Sequence, residues 1–142
     1  MKLRKITVVL LSMTFIANCV LFAQEQEEKG HVFTISTYKV RYGDVDEYLK
    51  LKEGVEGPMT VQNEFILSRK VLQHLWGPDW RIIIIAEYED FAAIAKAGEK
   101  GDELWKNKYP DKAERDKIDK KILKYWLAHT DAIVIEVPKF RK

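Results

Sequence analysis

Cysteine occurs once in this chain of 142 residues, at Cys19. A single thiol forms no internal disulfide, so the fold must rest on its core or on assembly with another copy. Histidine occurs three times, as His31, His74 and His129. These are scattered, with no His-x-His or His-x-x-x-His spacing and no cysteine pair, whereas a metal centre needs several ligands at fixed geometry. No metal site is predicted. A Gly-rich phosphate loop, a G-x-S-x-G elbow and a nucleophilic cysteine are all missing, which removes the usual support for nucleotide enzymes and hydrolases. An excess of one charge is missing too. The 24 basic residues include Lys2, Arg4 and Lys5, and without these three the chain is close to neutral against 22 acidic residues. Nothing global favours nucleic acid, and the basic end at Lys139, Arg141 and Lys142 is too short to change that.

Long apolar runs are scarce as well, and the one present is at the start. Lys2, Arg4 and Lys5 precede a mostly apolar stretch from Ile6 to Phe22, and Ala23 follows. A basic start, an apolar run and a small residue describe a secretory signal peptide over residues 1–23, cleaved after Ala23. The run is short for a membrane span of about 20 residues. The rival reading takes Phe15 to Cys19 as a lipoprotein signal with Cys19 lipidated, but apolar residues continue past that cysteine. The expectation is an exported chain, periplasmic or secreted, with no stable membrane span after cleavage. Residues 24–30 (QEQEEKG) are polar and read as a flexible lead. Residues 31–142 read as one domain.

Within that domain the elements alternate. Residues 31–42 (HVFTISTYKVRY) are β-branched and aromatic, a strand. Asp44 with Glu47 is an Asp form of the capping box. The helix it starts should run through Val45, Tyr48, Leu49 and Leu51 and stop at Gly54 to Pro58. Residues 64–76 predict a second strand, Gly77-Pro78-Asp79 a tight turn, and residues 80–89 a third strand antiparallel to the second. Asp90 caps a helix over residues 91–97, interrupted by Gly98 and Gly101, with a further helical stretch over 102–108. The glycines permit a hinge, so residues 102–113 could form a lid. Asp111 and Glu114 form a second capping box. Ile118, Ile122, Tyr125 and His129 recur at steps of four, three and four, which predicts one helix over residues 112–129. Residues 131–138 form the last strand. The order is βαββαβ with an extra helix before the final strand, the ferredoxin-like α+β plan.

Ile82-Ile83-Ile84-Ile85-Ala86 does not alternate. A strand with one wet face should, so both faces of this strand are expected to be covered. Helices cover one. A second copy of the sheet is the simplest cover for the other, and a two-fold homodimer with a barrel-like core follows.

The element order, this sheet problem and the opening TYKVRYGDVDEYLKL resemble the dimeric α/β-barrel superfamily. It includes antibiotic-biosynthesis-type monooxygenases, haem-degrading enzymes, EthD-like and NIPSNAP-like proteins. The resemblance spans roughly residues 32–137. It implies the fold and the dimer, and it carries no diagnostic catalytic motif. The haem-degrading members imply a helical histidine after the third strand, a nearby tryptophan and an asparagine on the first strand. Here the corresponding helix, FAAIAKAGEKGDELW, has Trp105 and no histidine, and the first strand has no asparagine. Haem is disfavoured, and no cofactor is expected.

His129 has two readings. On the apolar stripe in the last helical turn it can bond a free carbonyl or Asp131 and interact with the helix dipole. It can also face a pocket as a general base or acid oriented by Asp131. Tyr38, Tyr48, Trp105 and Tyr125 could furnish an aromatic pocket between sheet and helices, or simply core. His74 and Trp76, beside the predicted hairpin, could shape a pocket mouth, an interface or a sheet end. Three functions remain open. One is a protein binding a small apolar or aromatic molecule. Another is a cofactor-independent monooxygenase or isomerase using His129 and Asp131 for proton transfer. The third is a structural homodimer without ligand.

Overall fold

The structure is a computed structural model that describes residues 29–76 and 81–141. The expected signal peptide, Cys19, most of the flexible lead, the expected Gly77-Pro78-Asp79 turn and Trp80 lie outside the described residues. Strand β1 (Val32–Val40) leads into helix α1 (Val45–Val61). Strands β2 (Ser68–Gln73) and β3 (Arg81–Tyr88) follow, then α2 (Phe91–Lys108), α3 (Lys112–Leu123) and β4 (Trp126–Ile135). The four strands form one antiparallel sheet in the order β2-β3-β1-β4. This is the α+β ferredoxin-like plan with one extra helix. The sheet is open; a single chain does not close a barrel.

Alternation along the strands sets two faces. Val32, Tyr38 and Val40 of β1 and Ile82, Ile84, Ala86 and Tyr88 of β3 are buried. The helices lie on this side, where Val45, Tyr48, Val55, Ile122 and Tyr125 pack with Tyr38, Val40, Ile82 and Ile84. A second cluster joins Ala93 and Ala97 of α2 to Ala86 and Tyr88. The register puts Phe33, Ile35, Ile83, Ile85, Leu72, Ala132 and Val134 on the opposite face. Among the described residues, no element of the same chain lies over it. Gly30 permits a close approach at the end of the sheet: a Cβ there would meet the Glu136 carbonyl oxygen at 2.1 Å. His31 O then accepts from Glu136 N at 2.8 Å.

Four boundaries differ from the sequence expectation. Helix α1 does not stop at Gly54 to Pro58. It passes through Pro58 and ends at Val61. Proline has no N–H, so the carbonyl four residues earlier loses its helical donor. That carbonyl belongs to Gly54, and Lys108 Nζ donates to it at 2.9 Å and to Val55 O at 3.1 Å. A lysine from α2 thus replaces the bond that should have ended the helix. Strand β2 is shorter than expected because Asn63 builds a turn before it. Its carbonyl accepts from Ile66 N at 3.1 Å, its Oδ1 from Phe65 N at 3.3 Å, and its Nδ2 donates to Ala97 O at 2.8 Å. Helix α2 is continuous through Gly98 and Gly101, so residues 102–108 are its last turns and not a separate stretch. The caps at Asp90 and Asp111 form, accepting from Ala93 N and Ala113 N at 2.8 and 2.9 Å. Asp44 instead accepts from Arg41 Nε at 2.7 Å and makes no side-chain cap.

The fourth difference concerns His129. Helix α3 ends at Leu123, and His129 lies inside β4. The helix-end reading therefore fails. The stripe holds as far as Tyr125, which is buried with Ile122, and the chain then turns into β4. Trp126 pairs with Val40 and Ala128 with Lys39, so Leu127 is an extra residue at an irregularity in the ladder. A bulge of this kind puts Trp126 and His129 on one face three residues apart.

Candidate functional site

The side chains that face the helices from β1 and β4 meet in cross-strand rows. Tyr38 pairs with His129 and Ser36 with Asp131. The Tyr38 and His129 rings stack with centroids 4.6 Å apart and planes inclined by 13°. Trp126 lies 4.8 Å from Tyr38 and 5.0 Å from His129. Its Nε1 donates to the Tyr48 hydroxyl at 3.1 Å. Tyr48 is fully buried, 5.9 Å from the Tyr125 ring. Tyr38, Tyr48, Tyr125 and His129, four of the residues singled out by sequence, thus form one aromatic cluster with Trp126. Trp105 packs on the edge of the same core and meets Tyr109 edge-on at 4.7 Å. His74 follows the end of β2, where its N–H bonds Arg81 O at 2.8 Å, and Trp76 is 90% exposed. Neither lines the cavities described below.

Asp131 links the rows. Its Oδ1 accepts from Ser36 Oγ at 2.6 Å and lies 3.0 Å from His129 Nε2. Both partners sit near the rim, with His129 and Asp131 side chains 30% and 57% exposed. Tyr38 differs. Burial raises its pKa against the opposing effect of a Ser36 hydrogen bond. It is a phenol at neutral pH and can donate a proton in a hydrogen bond. Burial likewise raises Tyr48, despite the Trp126 hydrogen bond.

Two adjoining cavities lie between the sheet and the helices. One of about 390 Å³ is walled by Tyr48, Leu49, Val71 and Ile82. The other, about 320 Å³, is walled by Thr34, Ser36, Tyr38, Met59, Ala86 and Tyr88. Lys52, Arg69 and Ile84 line both. Lys52 bonds Glu56 one helical turn along α1, and Glu56 Oε2 accepts from Arg69 Nη2 at 2.7 Å. Arg69 Nη1 reaches Thr60 Oγ1 at 2.7 Å.

Lys52, Glu56, Thr60 and Arg69 were not candidates from sequence, although a signal existed. Arg69 falls in phase with the inward-facing Val71 of β2, and a charge at an inward position is informative. The partner was hidden because a helix stopped at Gly54 leaves Glu56 outside it. Among the described residues, no three of His, Cys, Asp and Glu gather as a metal cluster, and no helix is long and apolar enough to cross a membrane.

Neither a protein-family model nor a curated protein matches the chain. Solved structures do. An uncharacterized NIPSNAP domain protein from Burkholderia xenovorans aligns with a TM-score of 0.58 at 15% identity, over 78% of this chain and 99% of its own. A dimeric ferredoxin-like protein from an uncultured marine organism aligns with 0.60 at 12% identity, over 80% and 94%. A candidate antibiotic biosynthesis monooxygenase from Caulobacter crescentus aligns with 0.54 at 11% identity, over 77% and 92%. Identities this low show a shared fold. The fold is the one that the sequence resemblance implied, and the matching structures come from the same groups.

Proposed function

We propose that this chain is an exported homodimer that binds a small molecule, with an apolar or aromatic body, between its sheet and its helices. The observation that carries the reading is the pair of adjoining cavities on the helix-covered side, walled by aromatic, aliphatic and hydroxyl groups. Sites of this kind are concave and mostly apolar, with a few placed polar groups. The dimer rests on the uncovered apolar face, and the neighbour described as dimeric supports it. Export rests on residues 1–23 alone, and the mass of the mature chain from an exporting host tests it: an N-terminus at Gln24 is expected.

Two glycines give a clean test of binding. Gly57 lines the first cavity and Gly101 the second, and a Cβ at either meets nothing closer than 3.9 Å. A Cβ at either position adds no strain, a leucine there projects into the cavity, and either residue suits the helix better than glycine. Native mass spectrometry of the mature chain should give twice the chain mass plus a bound small molecule, and Gly101→Leu should remove the added mass while keeping the dimer. A bare wild-type chain that also takes up no aromatic probe would sink the reading. Ile83→Lys should turn the dimer into a monomer in sedimentation velocity while circular dichroism stays unchanged. A dimer that survives this change places the interface elsewhere.

A second reading has its own support. Asp131 bonds both His129 and Ser36, and Ser36 lines the second cavity; a carboxylate so paired can take a proton from an electron-rich ligand and pass it to the imidazole. This is the cofactor-independent monooxygenase or isomerase reading. Asp131→Asn should then abolish turnover and leave the melting temperature within about 2 °C, because the side chain is exposed. Equal turnover in the variant would remove it.

A further inference from the structure

The wall shared by the two cavities is cationic. Lys52 and Arg69 line both spaces, with side chains 11% and 19% exposed. Glu56 answers both. Glu53 also lines the first cavity, at its exposed rim, where water screens it. The second cavity therefore holds two cations against one carboxylate. A half-buried charge without a full partner is costly, and an incoming opposite charge relieves that cost. Donors are also in surplus. Among the described residues Arg69 commits two of its five N–H groups, to Thr60 and Glu56, and Lys52 one of its three, to Glu56. Strand β1 adds the hydroxyls of Thr34, Ser36 and Tyr38 to the lining, and the Tyr38 ring lies 5.2 Å from Lys52 Nζ.

We infer that the ligand of this site is an amphipathic anion, whose carboxylate or similar oxyanion is bound in the second cavity by Lys52 and Arg69. Its apolar body lies against Met59 and Ile84. Glu56 is the resident counter-ion that positions the two cations and competes with the ligand for them. The inference rests on the binding reading above and adds the charge of the ligand to it.

Two probes of one shape separate the two claims: 2-naphthoate and its neutral counterpart 2-naphthamide, titrated calorimetrically into the mature chain. The naphthoate should bind at least tenfold more tightly, as charge-assisted hydrogen bonds predict. Arg69→Gln should bring the ratio of the two affinities toward one. Glu56→Gln should move it the opposite way, to a larger naphthoate preference, because the competitor is gone and the cations remain. That second variant keeps the test sharp should Arg69→Gln fold poorly. A wild-type ratio near one, with both probes bound, overturns the anion site and leaves the binding reading standing. A preference unchanged in both variants also overturns it, since the anion is then held elsewhere. Binding of neither probe overturns the binding reading and the anion site together.

Discussion

Ile82 and Ile83 are neighbours in β3 with the same side chain, and they have different surroundings. Ile82 is 1% exposed under the helices, against Tyr38, Tyr48 and Val40. Ile83 points the other way, between Thr37 of β1 and Leu72 of β2, and is only half-buried by its own chain. The same contrast separates Ile84 from Ile85. At the centre of the sheet one face packs aromatic and branched side chains under the helices. The other has the composition of a core and, among the described residues, no helix over it. The difference shows that, among the described residues, one chain covers half of what the strand offers; the proposed dimer would bury the other half.

The largest expected effect tests this contrast directly. Ile82→Ala removes a packed side chain and should cost about 2–4 kcal/mol, as buried isoleucines do. Ile83→Ala should cost the isolated fold about 1 kcal/mol or less, and show most of its effect as a concentration-dependent midpoint. Urea unfolding at two protein concentrations separates them. Equal, concentration-independent losses would mean that the two faces are alike.

That asymmetry was legible in advance because a run of isoleucines breaks the period of two, and no packing detail is needed to notice it. The sequence of elements along the chain, the three main helices and two of three caps were legible for the same reason: each rests on local periodicity or on one capping side chain. The errors arose where a distant group overrode a local rule. Pro58 should end α1, and Lys108, fifty residues away, completes the helix instead. His129 looked helical because it follows Tyr125 by four residues, in phase with Ile118 and Ile122, but the chain leaves the helix after Leu123 to pair with β1. Its contact with Asp131 was anticipated from their nearness in sequence, but the Tyr38 and Ser36 partners came only with the strand register. The Lys52–Glu56–Arg69 group needed both a helix carried past Gly54 and the pairing of β2, so no window of sequence contained it.

The covered face can be probed a second way, with a smaller effect. Lys108→Met removes the donor from the Gly54 and Val55 carbonyls and should cost roughly 0.5–1.5 kcal/mol, since the ammonium is partly in water. Pro58→Ala restores the missing N–H to the same Gly54 carbonyl. In that background the Lys108 substitution should cost measurably less. A double-mutant cycle by thermal unfolding reads the coupling, and additivity within error would show that Lys108 does not complete the helix.

The smallest effect lies at the edge of the open face, where Glu87 faces away from the helices. Its carboxylate accepts from Ser68 Oγ at 2.5 Å and bonds His31 Nδ1 at 2.6 Å. These bonds, the Ser68 one first, hold its pKa below the ordinary 4.5 against the opposing effect of burial. A carboxylate with a depressed folded pKa stabilises the fold above its unfolded pKa, and that contribution disappears as pH falls through the folded value. Ser68→Ala should therefore raise the Glu87 pKa toward 4.5 and shift the loss of stability to higher pH. A carbon-detected NMR titration of Glu87 reads this, and an unchanged pKa would show that Ser68 does not set it. The same titration sharpens the comparison of faces. Cover by a second sheet removes water from Glu87, and loss of water favours the neutral acid. The Glu87 pKa should consequently be lower in the Ile83→Lys monomer than in the dimer. An identical value in both would mean that the interface stops short of this edge, confining the assembled face to the isoleucine rows at the sheet centre.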